Sequence, residues 1–435
     1  MWLVAKEWRE LIVSRAWWVL LFAMGPLVGV AFISAVRAYA ELSGLNGNPV
    51  AGVGEAFSPL VGIWAPTFSA CELAAAFLLP FVAIRVVSAD RQSGALKLEL
   101  QHPMPPIARI AAKALVLLAG WIIASLPPLL AVALWRGYGG SVYAPELMTV
   151  VAGHMLNAAL TVGLAAAAAA VTEHPSTAAI VTLTLTVGTW ILNFIAAVQG
   201  GIWERAAGYT PTAMVAEFQH GLIRLDVTLV GGTIFLTGLA LAAIWTRLGV
   251  LVRRRLMESI AAGAWAAAVI FAAAFAGVSW DTSEARANSF SEADEAALKQ
   301  IRSPLRIEAH LAAEDPRRAD LERKALSKLR RTMHRVDVSY VAATTTGLFE
   351  QTAAHYGEIW YDLDGRRTMS RVTTAEGVLE SIFSLAGIQP PAETDSDIFR
   401  GHPLAVPPNG AGAVFYGIWP ALVIVAGFLV LRRQT

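Results

Sequence analysis

The sequence predicts an α-helical polytopic membrane protein of about eight transmembrane helices, with one small α/β extracytoplasmic domain. Three observations carry that prediction. Of 435 residues, 56% are hydrophobic and only 15% are charged, against about 25% charged in ordinary soluble domains. Apolar stretches of spanning length recur along the chain. The Lys and Arg residues gather at alternate ends of those stretches. The formal net charge of +1 comes with no dominant basic stripe, so no nucleic-acid partner is expected. The single cysteine, Cys71, excludes an internal disulfide framework and a thiolate metal cluster. It lies in an apolar run and reads as a small packing residue. Residues 1–15 are amphipathic and precede an apolar run long enough to span, so no cleavable signal peptide is expected.

A hydrocarbon layer about 30 Å thick needs about 20 apolar residues in a helix. Such stretches fall at Ala16–Val36, Pro66–Val87, Ile110–Trp135, Leu147–Val171, Thr177–Val198, Val230–Leu248, Ile260–Val278 and Ala411–Leu431. The polyalanine run Ala165–Ala170 in the fourth would let a neighbouring backbone approach closely. His154 and Asn157 are the main polar residues read within that span. His154 is placed near its outer end in reach of water, and structural hydrogen bonding is the favoured role for both.

Orientation follows the positive-inside rule. Lys6, Arg9 and Arg15 flank the first span, and Arg85, Arg91, Lys97, Arg109 and Lys113 lie around the loop after the second. Arg247, Arg253, Arg254 and Arg255 follow the sixth, and Arg432 and Arg433 the eighth. Eight spans with both termini cytoplasmic put all of them inside. The expected location is the cell inner membrane, multi-pass, with residues 279–409 extracytoplasmic, periplasmic in a Gram-negative cell. The domain reading is 1–15 an interfacial helix, 16–248 a six-span core, 249–278 a cytoplasmic link and seventh span, 279–409 the outer domain, and 410–435 the eighth span and tail.

Three stretches stand apart from the spans. From Val86 to Pro106 a helix leaves the membrane, breaks at Gly94, resumes over Ala95–Gln101 and stops at prolines. By its residues alone it is a connecting turn or a short helix placed to receive force. Over residues 1–15, Trp2, Leu3, Ala5, Trp8, Leu11 and Ile12 lie near one face, opposite Lys6, Glu7, Arg9 and Glu10, as in a helix at the membrane interface. Thr210–Val227 mixes apolar and polar residues, breaks at Gly221 and reads as one or two short interfacial helices. Within it Glu217 and His220 read as an ion or proton site, or as exposed interfacial residues.

In the soluble region, Leu305–Leu311 alternates as a strand and Asp315-Pro316 opens a helix. Val336–Val341 is a second strand. Glu358–Asp362 and Arg367–Val372 flank an Asp364-Gly365 turn, a hairpin signal. Thr373 with Glu376 has capping-box spacing for a helix to Ala386. That order implies a small α/β or α+β domain.

These residues resemble the type-2 ABC-transporter permeases of the exporter class. Asp90, Gly94, Leu96, Leu98, Leu100, Pro103 and Lys113 match the segment after the second span there, with Ala95 where Thr or Ser is usual. The resemblance implies that Asp90–Pro106, including Arg91, is the coupling helix that docks on an ATPase. It also implies that Trp2, Lys6, Glu7 and Trp8 belong to an elbow helix. Gly221 and Asp226 match the outer loop of the gliding-motility branch. Asp281-Thr282-Ser283 and the strand, Asp-Pro, helix, strand order are similar to an auxiliary component of those systems, here shortened and fused.

The implied partners are a cytoplasmic ABC ATPase, which would bring ATP and Mg, a second permease half, most simply an identical one, and membrane lipid. A substrate or envelope partner would meet the outer domain. The sequence has no G-x-x-x-x-G-K-[ST] loop, no H-E-x-x-H and no G-x-S-x-G, so no catalytic residue, metal site or cofactor of its own is expected. The function implied is a permease subunit exporting a substrate with a separate ATPase. The alternative is a non-transporting scaffold that transmits ATPase cycles to an envelope partner through the outer domain.

Overall fold

The computed structural model describes residues 2–45, 57–94, 104–199, 202–284, 286–312, 315–341, 355–391 and 399–432. Eight helical stretches are long and apolar enough to cross a membrane: Arg15–Leu42, Leu60–Asp90, Pro106–Gly137, Ala144–Val171, Pro175–Ala196, Leu225–Trp245, Val252–Ala273 and Ala413–Val430. Each coincides with one span read from the sequence. The sixth starts earlier than hydropathy placed it, at Leu225 rather than Val230, because Asp226 sits in its first turn. A carboxylate is favourable at that positive end of the helix dipole.

The chain divides into two compact units, one of Met1–Leu192, Ala207–Trp280 and Arg400–Thr435, the other of Asn193–Ala206 and Asp281–Phe399. In the membrane unit, small residues set the helix packing. The fourth and sixth spans cross where Gly163 meets Gly238: a Cβ added to Gly238 would lie 2.4 Å from the Gly163 carbonyl oxygen, backbone against backbone. In the polyalanine run Ala165, Ala166, Ala168, Ala169 and Ala170 are all buried, as close helix approach requires. Cys71 is buried in the same core.

The eighth span docks in a groove of the first. A Cβ on Gly25 would come within 2.2 Å of Trp419 and one on Gly29 within 2.6 Å of Phe415. The Trp419 indole donates to the Leu21 carbonyl at 2.8 Å. Tyr39 Oη donates to the carbonyls of Phe57 at 2.6 Å and His402 at 2.8 Å, which stitches the approach to the eighth span onto the end of the first. The seventh span contrasts with these: only 6% of it is buried, against 67% of the second.

The second unit holds a four-stranded sheet of β1 (Leu305–Ala309), β2 (Val336–Tyr340), β3 (Ile359–Leu363) and β4 (Arg366–Ser370), in the order β2-β1-β3-β4. β1 and β2 are parallel, Leu305 opposite Val336, and the helical crossover 316–332 joins them. A parallel pair needs such a crossover. β3 runs antiparallel to both β1 and β4. Leu305, Ile307 and Ala309 alternate inward with the period of a strand and pack with Leu326, Leu329, Tyr361, Ile382 and Phe383.

Asp364 (φ +52°) and Gly365 (φ +78°) both take left-handed backbone in the β3–β4 turn, which a two-residue hairpin of the primed type demands. One sequence expectation is corrected here, and one element is added. The final helix, Ala375–Ala386, is capped by Thr374, whose side chain accepts from Gly377 N, and not by Thr373. A helix at Glu292–Gln300, capped by Ser291, was not anticipated, because its short charged sequence has a weak apolar period.

Candidate functional site

The helix that carries the second span ends at Gly94, whose φ of +77° is left-handed. An added Cβ there would meet nothing within 4 Å, so the backbone angle, not space, calls for glycine. Of the residues matched to a coupling helix, Leu96, Leu98, Leu100 and Pro103 lie outside the described residues, as does the Arg91 side chain. The chain resumes ahead of Pro106, which occupies the first turn of the third span, where its missing N–H costs nothing.

Directly before Gly94 the structure assembles a buried cluster of charges. Asp90, at the end of the second span, is 2% exposed, Lys113, two turns into the third, 4%, and Glu7 of the helix Trp2–Val13 is fully buried. Lys113 Nζ lies 2.5 Å from Asp90 Oδ2 and 2.7 Å from Glu7 Oε2, and it donates to the Val86 carbonyl at 3.1 Å. Lys6 Nζ lies 2.6 Å from Asp90 Oδ1, 3.1 Å from Glu10 Oε1 and 3.5 Å from Glu7 Oε1. Arg109, one turn before Lys113, is buried as well.

This burial corrects the reading of the first helix at two positions: Glu7, read on the charged face, is buried, and Trp2, read on the apolar one, is exposed. Its buried stripe is Leu3, Glu7 and Leu11, a spacing of four residues with a carboxylate at the centre. Trp8 packs against the membrane core. Glu7 can take the central place because Lys113 meets it there. Burial pushes the Glu7 carboxyl above its usual range, against the opposing pull of Lys113 and Lys6.

Carboxylate oxygens of Glu7, Glu10 and Asp90 lie within 4.8 Å of one another, a grouping that could hold a cation. Two ammonium groups already sit among them and supply the positive charge. The arrangement is a set of ion pairs across three helices. It ties the first helix, the end of the second span and the start of the third at the root of residues 95–103. Ions taken from water into such a site cost several kcal/mol each unless closely paired, so the three helices hold together or lose together.

The outer-loop residues form a second cluster. Thr210 caps the helix Pro211–Gln219 by accepting from Ala213 N, and Gly221 turns the chain at φ +77°. Arg224 then reaches back to Glu217 at 2.9 Å and forward to Asp226 at 2.7 Å, and Tyr209 Oη donates to Asp226 at 3.2 Å. The structure pairs Glu217 with Arg224, while His220 lies exposed. Burial lowers the Arg224 pKa, but Asp226 and Glu217 more than offset that and hold it above its usual value. Arg224 was missed in the sequence. The available signal was a single basic residue between two acidic ones across a Gly turn.

Within the spans, His154 is 3% exposed rather than open to water. It stacks on Phe68 with centroids 5.6 Å apart, and its Nε2 lies 3.3 Å from Gln219 Nε2. Glu72 of the second span, also missed, is half-buried and takes a hydrogen bond from Thr212. A lone carboxylate inside an apolar run was the signal for it.

A family model described as "ABC-2 family transporter protein" matches residues 1–220. That range takes in the first five spans, the buried charge cluster and the helix Pro211–Gln219, and stops before the sixth span. No curated protein and no solved structure matches the chain.

Proposed function

This chain belongs to the ABC-2 transporter family, and from that premise we propose that it is an exporter permease half, driven at Asp90–Pro106 by a separate ATPase. The chain is a multi-pass membrane protein and the transmembrane subunit of an ABC transporter, a component that does not itself hydrolyse ATP. The family implies a cytoplasmic ABC ATPase as partner and, usually, paired permeases.

The observation that carries the proposal is the Glu7–Lys113–Asp90 junction at 2.7 and 2.5 Å. A push on residues 95–103 reaches the second span at Asp90, and the junction passes it to the first helix and the third span without slack. Positive-inside charge supports a cytoplasmic location for this end. An odd number of spans then separates it from residues 281–399, which supports an extracytoplasmic location for the sheet domain. The two units are read as a gliding-motility-like permease core and a shortened auxiliary-like domain, and the permease as one half of a homodimer.

The test is the full chain co-purified with its ATPase and reconstituted in vesicles, as wild type and as Leu98→Asp. The variant is expected to insert normally and to lose coupling of the ATPase to the permease. Unchanged coupling sinks the docking assignment. The same vesicles address the second reading, which the separate folded core of the sheet domain favours: ATPase cycling without vectorial substrate movement makes the chain a mechanical transmitter rather than an exporter.

A further inference from the structure

The helix Trp2–Val13 and the end of the second span flank a groove that shares only Glu10 with the charge cluster. Arg9, Glu10, Val13, Ser14, Arg85, Val86 and Ala89 line a space of about 280 Å³. Its depth in the membrane follows from its residues. Ser14 immediately precedes the first span, and Ala89 is the penultimate residue of the second. The start of one span and the end of the next lie on the same side, so the groove opens at the level of the lipid headgroups.

Its polar groups keep unused bonding capacity. Arg9 and Arg85 are exposed, and neither has an ion-pair partner among the described residues. Ser14, which lines the groove, is 2% exposed, and its hydroxyl is buried without a hydrogen-bond partner among the described residues. Glu10 gives one oxygen to Lys6 at 3.1 Å, while its Oε2 is buried and likewise unpartnered. A buried hydroxyl and a buried carboxylate oxygen left this way each cost free energy that a bound polar group would return. Val13, Val86 and Ala89 give the groove apolar walls.

We propose that this groove binds the headgroup of a phosphatidylethanolamine molecule. Two guanidinium groups and a hydroxyl suit a phosphate, which arginine grips through paired N–H donors. The free oxygen of Glu10 suits a primary ammonium, which has N–H bonds to donate. A simple anion site would not place a carboxylate beside its arginines, whereas a zwitterionic headgroup uses both signs. The apolar walls take the start of the acyl chains. Basic pockets between helices at this depth are common headgroup sites; the carboxylate narrows this one to an aminophospholipid. A lipid seated here would touch both the first helix and the second span beside their ionic junction.

The full-length chain, purified in detergent, is offered equal amounts of dioleoyl phosphatidylethanolamine, phosphatidylcholine and phosphatidylglycerol, and retained lipid is read by native mass spectrometry. Phosphatidylethanolamine should be retained preferentially, since the quaternary ammonium of phosphatidylcholine has no N–H for Glu10. Arg9→Gln with Arg85→Gln should weaken retention of every phospholipid by about tenfold or more, the loss of charge-assisted phosphate contacts. Glu10→Gln should keep lipid but erase the preference for phosphatidylethanolamine over phosphatidylcholine. That preference is a ratio taken within folded protein, so it holds if the arginine variants insert poorly. Equal retention of the three lipids, a preference indifferent to Glu10→Gln, or displacement of lipid by inorganic phosphate, the mark of a free-anion site, each overturns the assignment.

Discussion

The charge cluster at Asp90 and the one at Arg224 use the same chemistry at two places in the membrane unit, and they are built to different standards. At Asp90 the side chains of Glu7, Asp90 and Lys113 keep 0%, 3% and 6% of their exposure. At Arg224 the three partners keep 11–33%. The first joins three helices that are distant in sequence; the second closes a loop onto residues two and seven positions away. Water compensates an imperfect pair at the loop, but no water backs up the buried one. The difference teaches that the first cluster fixes how helices meet and the second fixes only the course of a turn.

The sharpest way to break that comparison is to remove Lys113. Lys113→Met leaves Glu7 and Asp90 buried with Lys6 as their remaining ammonium, and breaking a buried pair in this way costs about 3–5 kcal/mol. Thermal unfolding of the purified protein in detergent should show a large drop in midpoint. A companion variant, Lys113→Met with Glu7→Met, removes a charge of each sign and should recover much of the loss, since apolar groups of similar size can replace a buried pair. A near-neutral Lys113→Met would mean that the cluster is hydrated and that the contrast with Arg224 is false.

The Arg224 cluster should respond far less. Arg224→Gln keeps most of the side-chain length and removes two part-buried pairs at the edge of a loop, which together are worth about 1 kcal/mol. Raised salt should shrink the difference further, because exposed charges are screened over about 8 Å at physiological ionic strength. A loss comparable to that of Lys113→Met would give the outer loop a structural rank equal to the buried junction.

Sequence reading succeeded where one physical signal dominated. All eight spans follow from apolar length, and the β3–β4 hairpin follows from Asp364-Gly365, because only left-handed backbone closes that turn. The break at Gly94 was legible for the same reason. The burial of Glu7 between Leu3 and Leu11 was not. Glu7 looked like part of a solvated face because its partner, Lys113, is 106 residues away, and hydrophobic periodicity carries no information about a distant lysine. Asp90, Lys6 and Lys113 were each picked out singly through the family pattern, but their convergence on Glu7 appears only when the first three helices are packed. Arg224 escaped for a related reason: its value lies in bridging Glu217 and Asp226, and each of them was weighed alone.

The smallest effect separates the clusters by pH. The folded-state pKa of Glu7 lies above its ordinary value because burial outweighs Lys113 and Lys6. Between the unfolded value near 4.5 and the raised folded value, the native chain therefore binds more proton at this site than the unfolded chain does. Stability contributed by Glu7 is present in full below that window and is lost as pH rises through it. Glu7→Gln cannot ionise and has no such slope. Unfolding midpoints of wild type and Glu7→Gln, taken side by side across the window, should thus diverge, with wild type losing ground as pH increases. The comparison cancels the titrating groups remote from the junction, and it separates the ionisation of Glu7 from the pH-independent cost of weakening its bond to Lys113. Arg224→Gln offers the contrast: it keeps Glu7, so the slope that Glu7 gives the wild type should persist in it. An opposite slope for Glu7→Gln would mean that Lys113 more than compensates the burial of Glu7, making the junction a source of stability at neutral pH rather than a held strain where the first three helices meet.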